Sequence, residues 1–401
     1  MKKLLSLLLV CVLALGCAAS ALAEGESIRV AWWGGQERHN MTIEALDAYA
    51  AANGVTMAYE YTSWGSYFEN LATQAVGANL PDVLQMSTTD IINYATNGQV
   101  VDLTPFVDAG IIDLSNIERS SLSGGTVNGK LAGFTTGTNT VTVMYNKAIY
   151  DATGIPSDIP FLTEFRWTAE AIVRCYGVSF FSEDGQSLPW AENEQVIAGL
   201  VGAINDIAEG VKAGYFVDPE VQLAWATTEE NYIVQGKSAM AFLLSNFYPV
   251  YCNAANTDFG MAMLPKMDDG VQSGMYLNSN MYWCISANSA NPEAAAAVLN
   301  YLINDTSAAK VIGTDRGISL SSAVRDALAN DPNTGVYSSN VLNYVGEVSA
   351  VVPSVNPADP ANSAELIAVL KNDFIAVTYG EMSAEDCVAD FIEQSTAILP
   401  Q

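Results

Sequence analysis

Histidine is nearly missing from this chain: His39 is the only one in 401 residues. No Cys-x-x-Cys pair occurs, and the six cysteines are scattered. A metal centre of imidazole or thiolate ligands is therefore not expected, and neither is a cofactor. The same shortage argues against a Ser–His–acid triad, and no Gly-x-Ser-x-Gly turn is present. Positive charge is scarce as well, with 16 lysines and arginines against 44 acids and a net charge of −28. That balance excludes a basic nucleic-acid footprint and predicts repulsion from anionic membrane surfaces. Uninterrupted apolar runs stop short of the roughly 20 residues that span a bilayer. What is abundant is apolar and aromatic matter. Half the residues are hydrophobic, with 7 Trp, 18 Tyr and 13 Phe, which is enough for a large core and excludes bulk disorder.

The first segment reads as an export signal. Lys2 and Lys3 precede an apolar run from Leu4 to Leu15, and small residues follow up to Ala21-Leu22-Ala23. Residues 1–23 are expected to be a signal peptide cut after Ala23. Gly16-Cys17 also resembles a bacterial lipobox, although the preceding order Ala14-Leu15-Gly16 departs from it. The expected location is extracellular or periplasmic, either released or anchored through Cys17. Cys175, Cys252, Cys284 and Cys387 remain beyond the signal. They are read as thiols rather than disulfides, and sequence cannot choose among their three full pairings.

The length allows about two domains. Ile28–Trp32, Val55–Tyr61 and Asp82–Met86 read as strands, alternating with helices at Asn40–Ala52, Tyr67–Val76 and Thr89–Thr96. This alternation predicts α/β layers. Gly133–Asn146, rich in Thr and Val, reads as an extended crossing segment. Asn193–Ala213, Thr228–Gln235 and Pro292–Ile303 read as helices, the last capped by Asn291. Ser238–Leu244, Phe259–Leu264 and Met281–Ser286 read as strands, and two helices are expected in Ala361–Leu399.

Several phrases stand in order: Val30-Ala31-Trp32-Trp33-Gly34, Pro81-Asp82-Val83-Leu84-Gln85-Met86, Leu103-Thr104-Pro105-Phe106, Met144-Tyr145-Asn146-Lys147, Gly236-Lys237-Ser238-Ala239-Met240, Asn291-Pro292-Glu293-Ala294-Ala295 and Gly313-Thr314-Asp315-Arg316-Gly317. Together they resemble the extracellular solute-binding proteins of bacterial ABC importers, in the carbohydrate-binding family that includes maltose-binding protein. The resemblance implies a two-lobed α/β fold of the periplasmic-binding-protein type, with a ligand cleft and three inter-lobe crossings. The crossings would fall near Gly137–Asn139, Cys284–Ala287 and Ala323–Asn333. Residues 24–137 and 286–325 would form the first lobe, and 138–285 and 326–401 the second. One departure is that Gly154-Ile155-Pro156 is followed by only about 20 residues before Cys175-Tyr176-Gly177. This implies a second lobe short of one strand–helix unit, and hence less stable.

The implied function is capture of a sugar or oligosaccharide for import, without turnover, by a monomer that docks on a membrane permease. The competing readings are a secreted carbohydrate-active enzyme, and the same fold holding a peptide or polyamine. A sugar site needs aromatic plates and short polar side chains. Trp33 ends the first strand beside Gly34-Gly35, and Arg38 follows with a fork suited to hydroxyls or a carboxylate. Trp64 and Asp82 flank the next strands. Asn139 lies at the first expected crossing and offers both a donor and an acceptor. Asn246 follows a buried strand, and Tyr276 and Trp283 lie near the second crossing. Arg316 is a second basic candidate, which with Arg38 would favour an acidic sugar.

Overall fold

The computed structural model describes residues 27–149, 165–182, 184–225, 227–352, 355–360 and 362–399. The expected signal peptide, Cys17 and residues 155–164 of the shortened stretch lie outside them. Strand β1 (Ser27–Trp33) is buried on both faces: Ile28, Val30 and Trp32 enter one core, and Ala31 and Trp33 another. Burial on both sides is what a parallel sheet covered by helices requires. Helix α1 (Gln36–Asn53) starts four residues earlier than the apolar spacing indicated, because extended Gly35 takes the cap position. Arg38 and His39 therefore sit inside a helix and not in a loop. Gly54, left-handed at φ 69°, ends it.

Strand β2 (Thr56–Thr62), helix α2 (Trp64–Val76), strand β3 (Val83–Met86), helix α3 (Asp90–Thr96) and helix α4 (Thr104–Asp108) continue the α/β alternation. The short pair β4 (Thr126–Val127) and β5 (Lys130–Leu131) precedes the long strand β6 (Phe134–Tyr145). Next come α5 (Phe165–Cys175), α6 (Glu194–Ala213) and α7 (Pro219–Leu223). Asn193 caps α6 by accepting from the amides of Gln195 and Val196. The helix expected over Thr228–Gln235 is only a 3-10 turn, Thr228–Glu230, closed by a capping box between Thr227 and Glu230. Strand β7 (Met240–Leu244), helix α8 (Phe247–Ala255), and strands β8 (Gly260–Ala262) and β9 (Leu277–Ile285) follow. Helix α9 (Pro292–Asn304) forms as its Pro-first, Ala-rich sequence indicates, although the Asn291 side chain accepts no capping hydrogen bond. Helices α10 (Thr306–Ile312), α11 (Ser322–Ala329), α12 (Val336–Val351), α13 (Ser363–Thr378) and α14 (Ala384–Ile398) complete the chain. Among the described residues no helix is long and apolar enough to cross a membrane.

The strands form one seven-stranded sheet in the order β2-β1-β3-β9-β6-β7, with β8 also on β6. β1 pairs in parallel with β2 and β3, and β3 pairs antiparallel with β9. β6 links the two lobes. Its first half, Phe134–Thr140, pairs with β9, and its second half, Val141–Tyr145, pairs with β7 and β8. At the waist Ile318 bridges Thr138 from the other side, exchanging amide–carbonyl bonds of 2.7 and 3.0 Å. The second lobe has few strands, but α5, α6, α13 and α14 pack around their own apolar cluster, where Phe165 stacks on Phe374 at 4.1 Å.

Candidate functional site

The cavity at the waist draws on elements spread along the chain. β6 contributes Asn139, and β9 contributes Asn278, Ser279 and Tyr282. Arg166 and Trp167 come from the first turn of α5, Leu244 from the end of β7, and Thr88 from just past β3. Pro357 and Asp359, between α12 and α13, close one side. The enclosed volume is about 220 Å³, below the roughly 300–1,000 Å³ of pockets for drug-sized ligands. It has room for about one sugar-sized ring.

Its polar atoms are the distinguishing feature. Eight buried side-chain nitrogen or oxygen atoms lack a hydrogen-bond partner among the described residues, and four of them belong to residues that line this one cavity: Asn139 Oδ1, Arg166 Nε, Ser279 Oγ and Tyr282 Oη. A buried polar atom without a partner costs about 1–3 kcal/mol, so such a cluster takes its partners from ordered water or from a ligand that displaces it. The Ser279 hydroxyl favours ionisation of the Tyr282 phenol, without a hydrogen bond of normal geometry between them. Burial dominates and pushes the phenol's pKa well up, so it stays a neutral donor and acceptor.

An ion-paired rail runs along α5. Arg166 donates through Nη1 to Glu170 and through Nη2 to Asp359 Oδ1 at 2.6 Å. Burial opposes the Arg166 charge, but Asp359 and Glu170 more than offset it and raise the pKa. Burial likewise pushes the Asp359 carboxyl up, against the pull of Arg166. Arg174 reaches Glu170 Oε1 at 3.3 Å and Asn356 Oδ1 at 2.5 Å, and Asn356 Nδ2 donates to Asn278 Oδ1 at 2.7 Å. The rail thus fixes α5 and Asn278 of β9 against each other.

A second, aromatic wall stands at the carboxyl ends of β1 and β2, the edge where open α/β sheets bind ligands. Trp33 is only 6% exposed, edge-on to Trp64 at 4.9 Å and close to Tyr67 and Phe68. Trp64 is 53% exposed and forms the outer plate. A larger groove of about 1,000 Å³ lies on the opposite face of α5, lined by residues such as Ala171, Ile172, Gly202 and Phe216. None of the unpartnered buried polar atoms lines it, so the waist cavity is the better candidate despite its size.

The nine residues singled out from sequence have different surroundings. Asn139 lines the cavity, and Trp33 and Trp64 form the aromatic wall. Asn246 is exposed at the start of α8, two residues past Leu244. Tyr276 is fully buried and supports the cavity from behind, its hydroxyl donating to the Trp167 carbonyl at 3.3 Å. Arg38 is tied to Asp315 by Nε–Oδ2 at 2.6 Å. Arg316 is enclosed in the first lobe, over the Trp283 ring at 5.4 Å and bonded to Thr42 Oγ1 at 2.8 Å. Burial and nearby Arg38 bring its pKa down to about 9. Trp283 points away from the cavity, as its alternation with Tyr282 on β9 requires. Asp82 is at the amino end of β3, where it accepts from the Arg29 amide at 2.9 Å and the Ser289 hydroxyl at 2.6 Å. The structure does not bring it to the cavity.

Arg166, Trp167, Asn278, Ser279 and Asp359 line the cavity without having stood out in the sequence. The available signal was a run of polar residues, Asn278-Ser279-Asn280, entering the otherwise apolar β9. Cys175, Cys252, Cys284 and Cys387 are free and buried.

Solved structures share this architecture. An extracellular solute-binding protein of family 1 from Alicyclobacillus acidocaldarius is 24% identical, covering 94% of this chain and 99% of its own, with a TM-score of 0.78. A periplasmic oligogalacturonide-binding protein from Yersinia enterocolitica is 17% identical, covering 93% and 98%, with a TM-score of 0.76. The maltose/maltodextrin-binding domain from Bdellovibrio bacteriovorus, bound to maltotriose, is 16% identical, covering 92% and 99%, with a TM-score of 0.64. The sequence itself matches the family described as bacterial extracellular solute-binding protein over residues 44–335. With this match across most of its length, the chain belongs to the bacterial extracellular solute-binding proteins.

Proposed function

We propose that this protein captures a small carbohydrate in the waist cavity and delivers it to the membrane permease of an ABC importer. The observation that carries this reading is that four unpartnered buried polar atoms belong to the residues lining one ring-sized space. Hydroxyl-rich ligands satisfy such atoms, and Trp167, which lines the space, offers an apolar face for the C–H side of a sugar. The sugar-bound and oligogalacturonide-binding relatives support a carbohydrate ligand. On this reading the first lobe comprises residues 24–137 and 286–325, and the second 138–285 and 326–401. The chain crosses between them three times. Ligand contacts made from both sides then favour a closed arrangement over an open one. The exported form is either free or held through Cys17, and it acts as a monomer.

Binding without turnover fits the two carboxylates paired with Arg166. Glu170 and Asp359 share Arg166, so neither is placed as a free proton donor opposite a free nucleophile, as glycoside hydrolysis needs. Calorimetric titration with mono- and oligosaccharides, combined with product analysis, tests the reading. Saturable binding with unchanged sugar is expected. Steady release of reducing ends would overturn it.

A further inference from the structure

The charges around the cavity are already spent on one another. Both terminal nitrogens of Arg166 are taken, by Glu170 and by Asp359, leaving only Nε. A single N–H cannot make the two parallel bonds by which an arginine holds a carboxylate. Arg174 is bonded to Glu170 and Asn356. Two guanidinium groups thus stand against two carboxylates, and no lysine is among the described residues that line the cavity. The remaining candidate cations lie elsewhere: Arg38 is held by Asp315, and Arg316 is walled in behind Trp283 and Thr42.

What stays free is neutral chemistry. Asn139 Oδ1 can only accept, so its natural partner is a hydroxyl that donates. The Ser279 and Tyr282 hydroxyls can donate or accept. A carboxylate brought here has no hydrogen to give Asn139 Oδ1 and meets the Asp359 carboxylate in the same small space. The chain's net charge of −28 adds a long-range field of the same sign.

We infer that the cavity takes an uncharged polyol ring, a neutral sugar, and discriminates against uronic acids. This rests on the sugar-capture reading above and reverses the acidic preference suggested by Arg38 and Arg316 in the sequence.

The test is calorimetric titration of the full-length exported protein with glucose, galactose, maltose and cellobiose, against glucuronate, galacturonate and digalacturonate, at physiological salt. The expected result is a neutral sugar that binds at least about tenfold more tightly than its uronate counterpart. A uronate that binds as tightly or more tightly overturns the inference and leaves sugar capture standing. Binding of none of these sugars overturns both. Asp359→Asn supplies a second arm. It removes the carboxylate charge that repels a uronate while Glu170 still holds Arg166, so the preference for the neutral sugar should shrink by about tenfold. An unchanged ratio in a variant that melts like the parent counts against the inference. The comparison on the parent protein stands whether or not the variant folds.

Discussion

Gly137 and Gly317 touch backbone to backbone at the waist. A Cβ on Gly137 would lie 2.5 Å from the Gly317 carbonyl carbon and 2.7 Å from the Arg316 oxygen. Gly317 sits at φ 94°, where only glycine is comfortable. The register of β6 on β9 shifts on both sides of Gly137, so the strand bends where the third chain segment crosses it. Backbone cannot move aside as a flexible side chain can. Gly137→Ala should therefore destabilise the protein by about 1–3 kcal/mol through overpacking. Denaturant unfolding checks this, and a variant as stable as the parent would show that the waist yields.

Tyr282 separates a ligand site from a structural one. Its hydroxyl is buried and unpartnered, so removing it should cost the fold little. Tyr282→Phe is expected to leave stability unchanged or raise it by up to about 1 kcal/mol. Affinity for the sugar should fall by about tenfold at the same time. Ser279→Ala should behave alike. A loss of melting temperature with intact binding would place these hydroxyls in the scaffold instead of the site.

Much of the fold was legible because it rests on local patterns. The apolar runs of β1 and β3, the Thr- and Val-rich β6 and the Pro-first α9 each carry their own signal. The site was only partly legible, because its chemistry depends on distant pairing. Arg166 meets Asp359 across 193 positions of sequence, and no local pattern announces that. The same holds for Arg38: a free clamp on sequence grounds, it is held by Asp315, 277 residues away. Asp82 followed a conspicuous proline, yet its side chain serves the amide of Arg29 on the neighbouring strand. Asn139, singled out for its place on the Thr- and Val-rich segment, does line the cavity.

The adjacent aromatics Trp33 and Trp64 should give opposite results. Trp33 is nearly buried among Trp64, Tyr67 and Phe68. Trp33→Ala is expected to cost about 3–5 kcal/mol of stability, as for other large core aromatics. Trp64 stands half in solvent, so Trp64→Ala should cost the fold less than about 1 kcal/mol. If the aromatic wall is a plate for the ligand, Trp64→Ala should also weaken sugar binding by about 1–3 kcal/mol. Melting curves and calorimetry on the two variants check both halves, and a Trp64→Ala protein with parental affinity would remove this wall from the site.

The last prediction concerns pH. Asp373 on α13 has its carboxyl pushed up to about 6, first by burial and then by the neighbouring carboxylate Asp390. One Asp373 oxygen is buried without a partner, and Gln394 on the same helix as Asp390 donates to that neighbour at 3.3 Å. A carboxyl whose pKa is raised on folding binds its proton more tightly in the native state. Its stabilising contribution is thus complete below the unfolded value near 4 and is lost as pH rises through about 6. At pH 7.5 both aspartates are charged, and their repulsion works against the packing of α13 on α14. Asp373→Asn removes that repulsion and should stabilise the protein at pH 7.5 by about 1 kcal/mol, after allowing for solvent screening at this partly exposed pair. Below pH 4, where the parent carboxyl is protonated, the advantage should vanish. Urea unfolding of parent and variant at pH 7.5, 5.5 and 4 measures the difference directly, and an advantage that stays constant with pH would rule out the carboxyl pair as its source.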